Sequence, residues 1–265
     1  MFRKRKKKKE EKAEMSFLEH LDELRRRIIY SLIGIAVGCA VVGYKIDFVI
    51  EKILLAPALK VGLKLQNLQP FGQPFLYFKV LLIGGLIIAL PFVLFQLWKF
   101  VAPGLYPNEK KWVRLITFFT TFCFVAGVVF SYYIMIPFML NFSAYFGTQM
   151  IENKFDINYY FGFVSMMVLA SGLVFEMPMI SFVLSRFGLL TAKFLRKYRR
   201  HSIIVILILA AILTPTPDPV NQLVFALPLF ILYEISIWVV AATERRSKRI
   251  NDEANLESMN ENNKL

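Results

Sequence analysis

The sequence predicts an all-α polytopic membrane protein with six transmembrane helices, and three observations carry that prediction. Of the 265 residues, 57% are hydrophobic and 26 are Phe, which is more apolar than a soluble domain of this length. Several apolar runs approach the roughly 20 residues needed to cross a bilayer. The basic residues fall in the loops and tails between those runs. A net charge of +13 would point to nucleic acid in a soluble chain, but in this distribution it reports membrane topology. The two cysteines, Cys39 and Cys123, sit inside apolar runs and suggest neither a disulfide framework nor a metal site. No cleavable signal peptide is expected, because the basic start leads into acidic residues rather than a short apolar core.

Residues 1–14 form a charge run, Arg3 to Lys9 followed by Glu10 and Glu11. It reads as a disordered arm near anionic lipid. Residues 15–27 contain SFLEHLDELRRR. Ser16 with Glu19 three residues on is a capping box, so a helix starts here. Phe17, Leu21, Leu24 and Ile28 form one apolar stripe, which makes the helix amphipathic. Glu19, Asp22 and Glu23 lie on its polar side. They complement the helix dipole and reach Arg26 and Arg27 at i,i+4, or they form an acidic patch for a cationic ligand.

The first span is expected at 28–44 and the second at 75–98, separated by an outer segment containing Pro57, Pro70 and Pro74. Between the second and third spans lies a polar hinge, QLWKFVAPGLYPNEKK from Gln96 to Lys111. Pro103, Gly104 and Pro107 stop a helix there, while Trp98 and Phe100 are aromatics of the membrane-interface type. Glu109 is a lone acid beside Lys110 and Lys111. The third span is expected at 113–140, the fourth at 159–184, and a basic loop at 185–201. Two last spans meet at the turn Thr214-Pro215-Thr216-Pro217-Asp218-Pro219. Residues 28–242 are thus the membrane domain, and 243–265 are a polar tail.

Charge decides between five spans and six. The run Ser202–Leu213 is only about 18 Å of helix, short of a hydrocarbon core of about 30 Å. With the N-terminus inside and six spans, 26 Lys and Arg fall on the inner side and 5 on the outer. Five spans would strand the basic tail outside, so the positive-inside rule favours six, with both termini cytoplasmic. The short hairpin then implies a locally thinned bilayer or shielding by protein.

Glu176, in Phe175-Glu176-Met177-Pro178, is an acid deep inside an apolar run, and such residues are costly unless they face the protein or water. It reads either as a functional group or as a protonated structural acid, with Gln222 as a possible partner. Glu234 lies nearer the end of its run and reads as interfacial. Ser171-Gly172 and Gly84-Gly85 read as helix-packing sites. His20 and His201 have no metal-ligand spacing, no phosphate loop is present, and no enzyme is expected.

Four stretches together carry a resemblance. SFLEHLDELRRR before the first span, QLWKFVAPGLYPNEKK at the hinge, FEMP in the fourth span and LTPTPDPVNQ at the last turn resemble the TatC family, core subunits of the twin-arginine protein translocase. The similarity covers about residues 15–242. It implies a six-helix, glove-shaped bundle with two short C-terminal helices in a prokaryotic cytoplasmic membrane. It implies a receptor for twin-arginine signal peptides that exports folded proteins on the proton-motive force without a cofactor. Its implied partners are TatA- and TatB-type single-span subunits and further copies of the receptor. By this resemblance the recognition acids are Glu23 and Glu109, with Arg25 following the first and Phe100 as the hinge aromatic. Glu176 is the intramembrane acid, and Asp218 and Gln222 are the acid and amide of the last turn.

The chemistry is consistent with such a ligand. Adjacent arginines present two planar forks, each able to engage a carboxylate bidentately, whereas lysines present point charges. The neighbouring basic residues would repel wrong cationic partners. The competing reading is a proton-coupled transporter of a small solute that uses Glu176. It predicts internal repeats and several buried charges; the sequence shows no repeat and one deep acid.

Overall fold

The computed structural model describes residues 17–101, 110–145, 154–214 and 219–262. Ser16, Glu109 and Asp218 lie outside these ranges, as do the charge run at 3–11, Pro103, Gly104 and Pro107 of the hinge, and Pro215, Thr216 and Pro217 of the last turn. The described chain is mostly helical. Helix α1 (Phe17–Tyr44) is continuous. The sequence divides it at Ile28 into an amphipathic stretch and a span, but strong helix formers carry it through Leu24-Arg25-Arg26-Arg27 without a break. Helix α2 (Ala56–Val61) opens with Pro57 and closes at Gly62, whose φ of 78° is the left-handed cap that glycine favours. Strand β1 (Lys64–Gln66) follows.

Helix α3 (Gly72–Val101) contains a π-helical turn at Val80–Gly84. Helix α4 runs through Lys110–Phe130, a π-helical turn at Ser131–Met135, and Ile136–Tyr145. Strand β2 (Lys154–Asp156) precedes α5 (Ile157–Arg186), which is interrupted by a turn at Phe175 and Glu176. Helices α6 (Ala192–Lys197), α7 (Arg199–Leu213) and α8 (Pro219–Asn262) complete the chain. Five stretches are long and apolar enough to cross a bilayer: Glu19–Tyr44, Gly72–Val101, Leu115–Tyr145, Ile157–Arg186 and Pro219–Arg246. Helix α7, with 15 residues, is not among them; its length of about 22 Å falls short of the hydrocarbon core.

The chain divides into two compact units, Met1–Phe122 with Leu140–Ser165, and Cys123–Met139 with Met166–Leu265. In the first unit α1 packs antiparallel on α3. Gly34 meets the Phe92 ring, Gly38 meets Gly85 and Ala89, and Gly43 meets Leu81. At the centre a Cβ on Gly38 would stand 2.4 Å from the Gly85 carbonyl oxygen. Only glycine permits that approach, and close backbone contact is what holds apolar helices together in lipid.

The same unit contains one departure from an all-helical expectation. Strands β1 and β2 pair in parallel, with Lys64 opposite Lys154, Leu65 opposite Phe155 and Gln66 opposite Asp156. Asp156 explains the pairing. Its buried carboxylate accepts from the backbone N–H of Asn158 (2.9 Å) and Tyr159 (3.2 Å), capping α5, and from Leu68 N–H (3.1 Å) of the other segment. Asn158 donates to the Gly72 carbonyl (3.2 Å) and the Tyr160 hydroxyl donates to the Leu54 carbonyl (2.7 Å).

In the second unit α8 packs along the second half of α5 and along α7. Gly127 of α4 lies against the backbone of Ser171 and Gly172, and Gly172 lies under the Phe124 ring. The basic segment before α7 is pinned to α8 at two points. Ala192 N–H donates to Glu244 Oε1 (3.1 Å), and the Tyr233 hydroxyl donates to the Leu195 carbonyl (2.8 Å). Arg199 pairs with Glu234, both partly exposed, which suits an interfacial position for that acid.

Asp156 sets a pH prediction. Burial alone would raise its pKa, but the N–H groups of Leu68, Tyr159 and Asn158, with Lys79 nearby, outweigh it and hold the carboxyl below its ordinary range. A depressed folded value means that its stabilisation is present at neutral pH and is lost only as pH falls through that value. Hydrogen exchange of the 64–68 and 154–159 amides is therefore expected to stay slow down to pH 4 in the parent chain. Asp156→Ala is expected to lose about 1–2 kcal/mol of protection already at pH 7.

Candidate functional site

The N-terminal turns of α1 carry a polar stripe that faces the end of α3. His20, Glu23 and Arg27 recur at i, i+3 and i+7, so they share one side of the helix. The antiparallel packing places them against Phe100 and Gln96. The His20 and Phe100 rings stack with centroids 4.4 Å apart and planes 20° apart. Arg27 Nη2 donates to Glu23 Oε1 at 2.9 Å, while its Nη1 donates to Gln96 Oε1 at 3.2 Å. One guanidinium thus ties a carboxylate on α1 to an amide on α3.

Burial makes that tie matter. The Glu23 side chain is 11% exposed and Gln96 is 5% exposed. A carboxylate so shielded needs a counter-charge, and Arg27 supplies it. Among the described residues, Glu23 Oε2 has no hydrogen-bond partner. The carboxylate is therefore oriented through one oxygen and keeps acceptor capacity on the other. Arg25 is exposed and points away from the Arg27 contact. With Glu19, Asp22, Glu23, Arg26 and Ile29 it lines an open groove of about 520 Å³.

The structure thus brings together Glu23 and Phe100 from the sequence-derived set and leaves Arg25 on the rim of the groove; Glu109 lies outside the described residues. It adds His20 and Gln96, which the sequence reading did not assign, and it shows the Glu23–Arg27 pair that the i,i+4 spacing offered as the alternative to an open acidic patch. The signal for Gln96 was present: it is an amide inside an apolar helix, and such groups are retained where something bonds to them. Trp98, expected at a headgroup boundary, is instead buried, 8% exposed.

The second unit holds the other candidates. Glu176 is 3% exposed and sits where α5 breaks. Its carbonyl accepts from Met179 N–H (3.0 Å) and Ile180 N–H (2.9 Å), so the helix restarts directly after it, with Pro178 in the first turn. Phe130 and Phe175 pack at 5.4 Å beside it. Gln222 donates to the Leu207 carbonyl at 3.0 Å, joining α8 to α7. Asp218 lies outside the described residues. Among the described residues no group of three or more His, Cys, Asp and Glu is placed to hold a metal.

Residues 19–228 match the family model described as Sec-independent protein translocase protein (TatC). The chain belongs to the TatC family. The Sec-independent protein translocase protein TatC of Koribacter versatilis (strain Ellin345) is 40% identical over 246 residues, covering 91% of this chain and 90% of that protein. The TatC of Aquifex aeolicus (strain VF5) is 35% identical over 240 residues, covering 89% of this chain and 99% of that one. A crystal structure titled as the twin arginine translocase receptor TatC superposes with a TM-score of 0.75 at 35% identity, over 85% of this chain and 100% of that one. The TatC match ends before the last third of α8 and includes both the Glu23 and the Glu176 regions.

The Arg27 bridge generates a test. Arg27→Ala leaves Glu23 and Gln96 in a shielded setting with no counter-charge, and breaking such a pair typically costs about 3–5 kcal/mol. The variant is expected to show a lowered thermal midpoint in detergent and faster exchange of the 20–27 amides. Gln96→Leu, which removes one hydrogen bond, is expected to lose only about 1 kcal/mol.

Proposed function

We propose that this chain is the twin-arginine signal-peptide receptor and core subunit of a translocase that exports folded proteins on the proton-motive force. The observation that supports this reading most directly is the half-buried Glu23 carboxylate. Arg27 orients it through one oxygen, its second oxygen is buried without a hydrogen-bond partner among the described residues, and His20, on the same face of α1, stacks on Phe100. A guanidinium that opens the packing over that second oxygen would meet an unsatisfied acceptor that Arg27 already holds in place. A fixed acceptor plane favours a planar fork over an ammonium, the discrimination that an arginine-pair receptor needs.

In this reading Glu109 takes the second arginine, Phe100 packs against the peptide, and Arg25 guards the rim against other cations. Helix α7 crosses as a sixth, short span, and both termini lie on the cytoplasmic side of a prokaryotic inner membrane, as the basic flanks favour. Twin-arginine signal peptides, TatA- and TatB-type single-span subunits and further copies of the chain are the partners. Glu176 is the polar contact for a partner helix. Asp218 and Gln222 hold the turn that presents α7 and α8, and the amide of Gln222 is already bonded to Leu207.

Binding is tested by crosslinking a twin-arginine peptide to membranes carrying the chain. Glu23→Ala and Glu109→Ala are each expected to weaken capture by about 10–100-fold, the worth of one charge-assisted hydrogen bond. Replacing Arg-Arg by Lys-Lys in the peptide should do the same in the parent. Undiminished capture in both variants would refute the assignment.

The Glu176 contact is tested by co-purification with a single-span subunit. Glu176→Ala is expected to weaken association by about 3–30-fold and Glu176→Gln, which keeps hydrogen bonding, to retain it. Loss with Gln but not with Ala would rule the contact out.

A further inference from the structure

The second unit contains a cleft that the receptor reading does not use. It lies between α6 and the basic end of the α8 span, has a volume of about 310 Å³, and is lined by Lys193, Arg196, Glu244 and Arg245 with Ala192 and Ala241. We propose that it binds the phosphate of an anionic phospholipid, with Lys193, Arg196 and Arg245 as the counter-charges.

The walls of the cleft are fixed rather than incidental. Glu244 accepts from Ala192 N–H, and Tyr233 donates to the Leu195 carbonyl, so α6 is held to α8 at its first residue and again near its middle. Thr191 caps α6 by accepting from Phe194 N–H at 3.2 Å. Among the described residues Glu244 is the only acid lining the cleft, and one of its oxygens is committed to that backbone contact. Three cations against one engaged carboxylate leave an excess of two positive charges. An anionic headgroup meets that excess favourably, whereas a zwitterionic one would bring its own ammonium among cations.

Position argues for a lipid rather than a soluble anion. Trp238, Ala241 and Arg245 recur at i, i+3 and i+7 on one face of α8, and the Trp238 side is 74% exposed. Leu189, just before α6, and Phe194, within it, are also exposed. The cleft lies where the apolar run of α8 gives way to basic residues, which is headgroup depth. Basic pockets between membrane helices at that depth suit phosphate headgroups. A phospholipid alone among small anions fills both parts, its phosphate in the cleft and an acyl chain along Trp238.

The test titrates the purified full chain in detergent with phosphatidylglycerol or phosphatidylcholine and counts retained lipid by native mass spectrometry. The parent should retain phosphatidylglycerol in preference. Lys193→Gln, Arg196→Gln and Arg245→Gln should each weaken retention by roughly five-fold. Lys60→Gln, the same charge change in the other unit, should leave it unaltered. Glycerol 3-phosphate, which lacks acyl chains, should not displace the lipid. Arg196→Lys and Lys193→Arg keep the charge and should keep the lipid, which separates loss of binding from loss of fold. Equal retention of both lipids, equal effects of Lys60→Gln and the cleft variants, or displacement by glycerol 3-phosphate would overturn the assignment.

Discussion

Burying one apolar helix against another yields little in hydrocarbon, because lipid tails are as apolar as leucine. What holds α1 to α3 is therefore the closeness of their backbones at Gly38 and Gly85, a contact that any side chain would push apart. The polar end of the pair inherits its geometry from that crossing. With Gly38 seated on Gly85, an antiparallel partner brings Phe92 to Gly34, Gln96 to Arg27 and Phe100 to His20. Each step along one helix is matched by a step along the other. A bulkier residue at the crossing would change not one contact but the register of the site several turns away.

The two charged centres of the chain solve different electrostatic problems. Glu23 sits at a helix end where shielding is partial, and an arginine on its own helix supplies the opposite charge. Arg27 reaches further to Gln96, so the ion pair also fixes the neighbouring helix. Glu176 is enclosed by apolar residues in mid-span, where ionisation is expensive. There the chain breaks its own helix beside a proline and opens a place for a polar group. The first arrangement fixes the direction of a shielded carboxylate; the second encloses an acid among apolar side chains.

Much of this was legible in the sequence. The apolar runs located the long helices, since length and hydropathy are local properties that bilayer thickness makes decisive. The Pro and Gly residues of the hinge and the last turn marked where helices stop. Glu176 stood out because an acid inside an apolar run is costly without a task, whereas Glu23 and Phe100 were singled out by the family resemblance. The β1–β2 pairing was not legible. Its strands are three residues each and lie 88 residues apart at the Leu68–Asp156 bond, so no periodicity announces them. The continuity of α1 was missed because a change of polarity at Ile28 resembles a boundary, although backbone hydrogen bonding is indifferent to it.

The sequence by itself determined the class of protein, the places and order of its five long apolar runs, its family resemblance and the identity of its acids. These follow from composition and short-range pattern, which every residue carries with it. The Glu23–Arg27 pair follows from i,i+4 spacing on one helix, but only the tertiary structure decided the other contacts: Gln96 on Arg27, the ring of His20 on Phe100, and the amides of two separate segments on Asp156. The reason is physical. A hydrogen bond or a stacked pair is set by distances between helices, and those distances come from close packing at glycines whose partners lie tens of residues away in the chain.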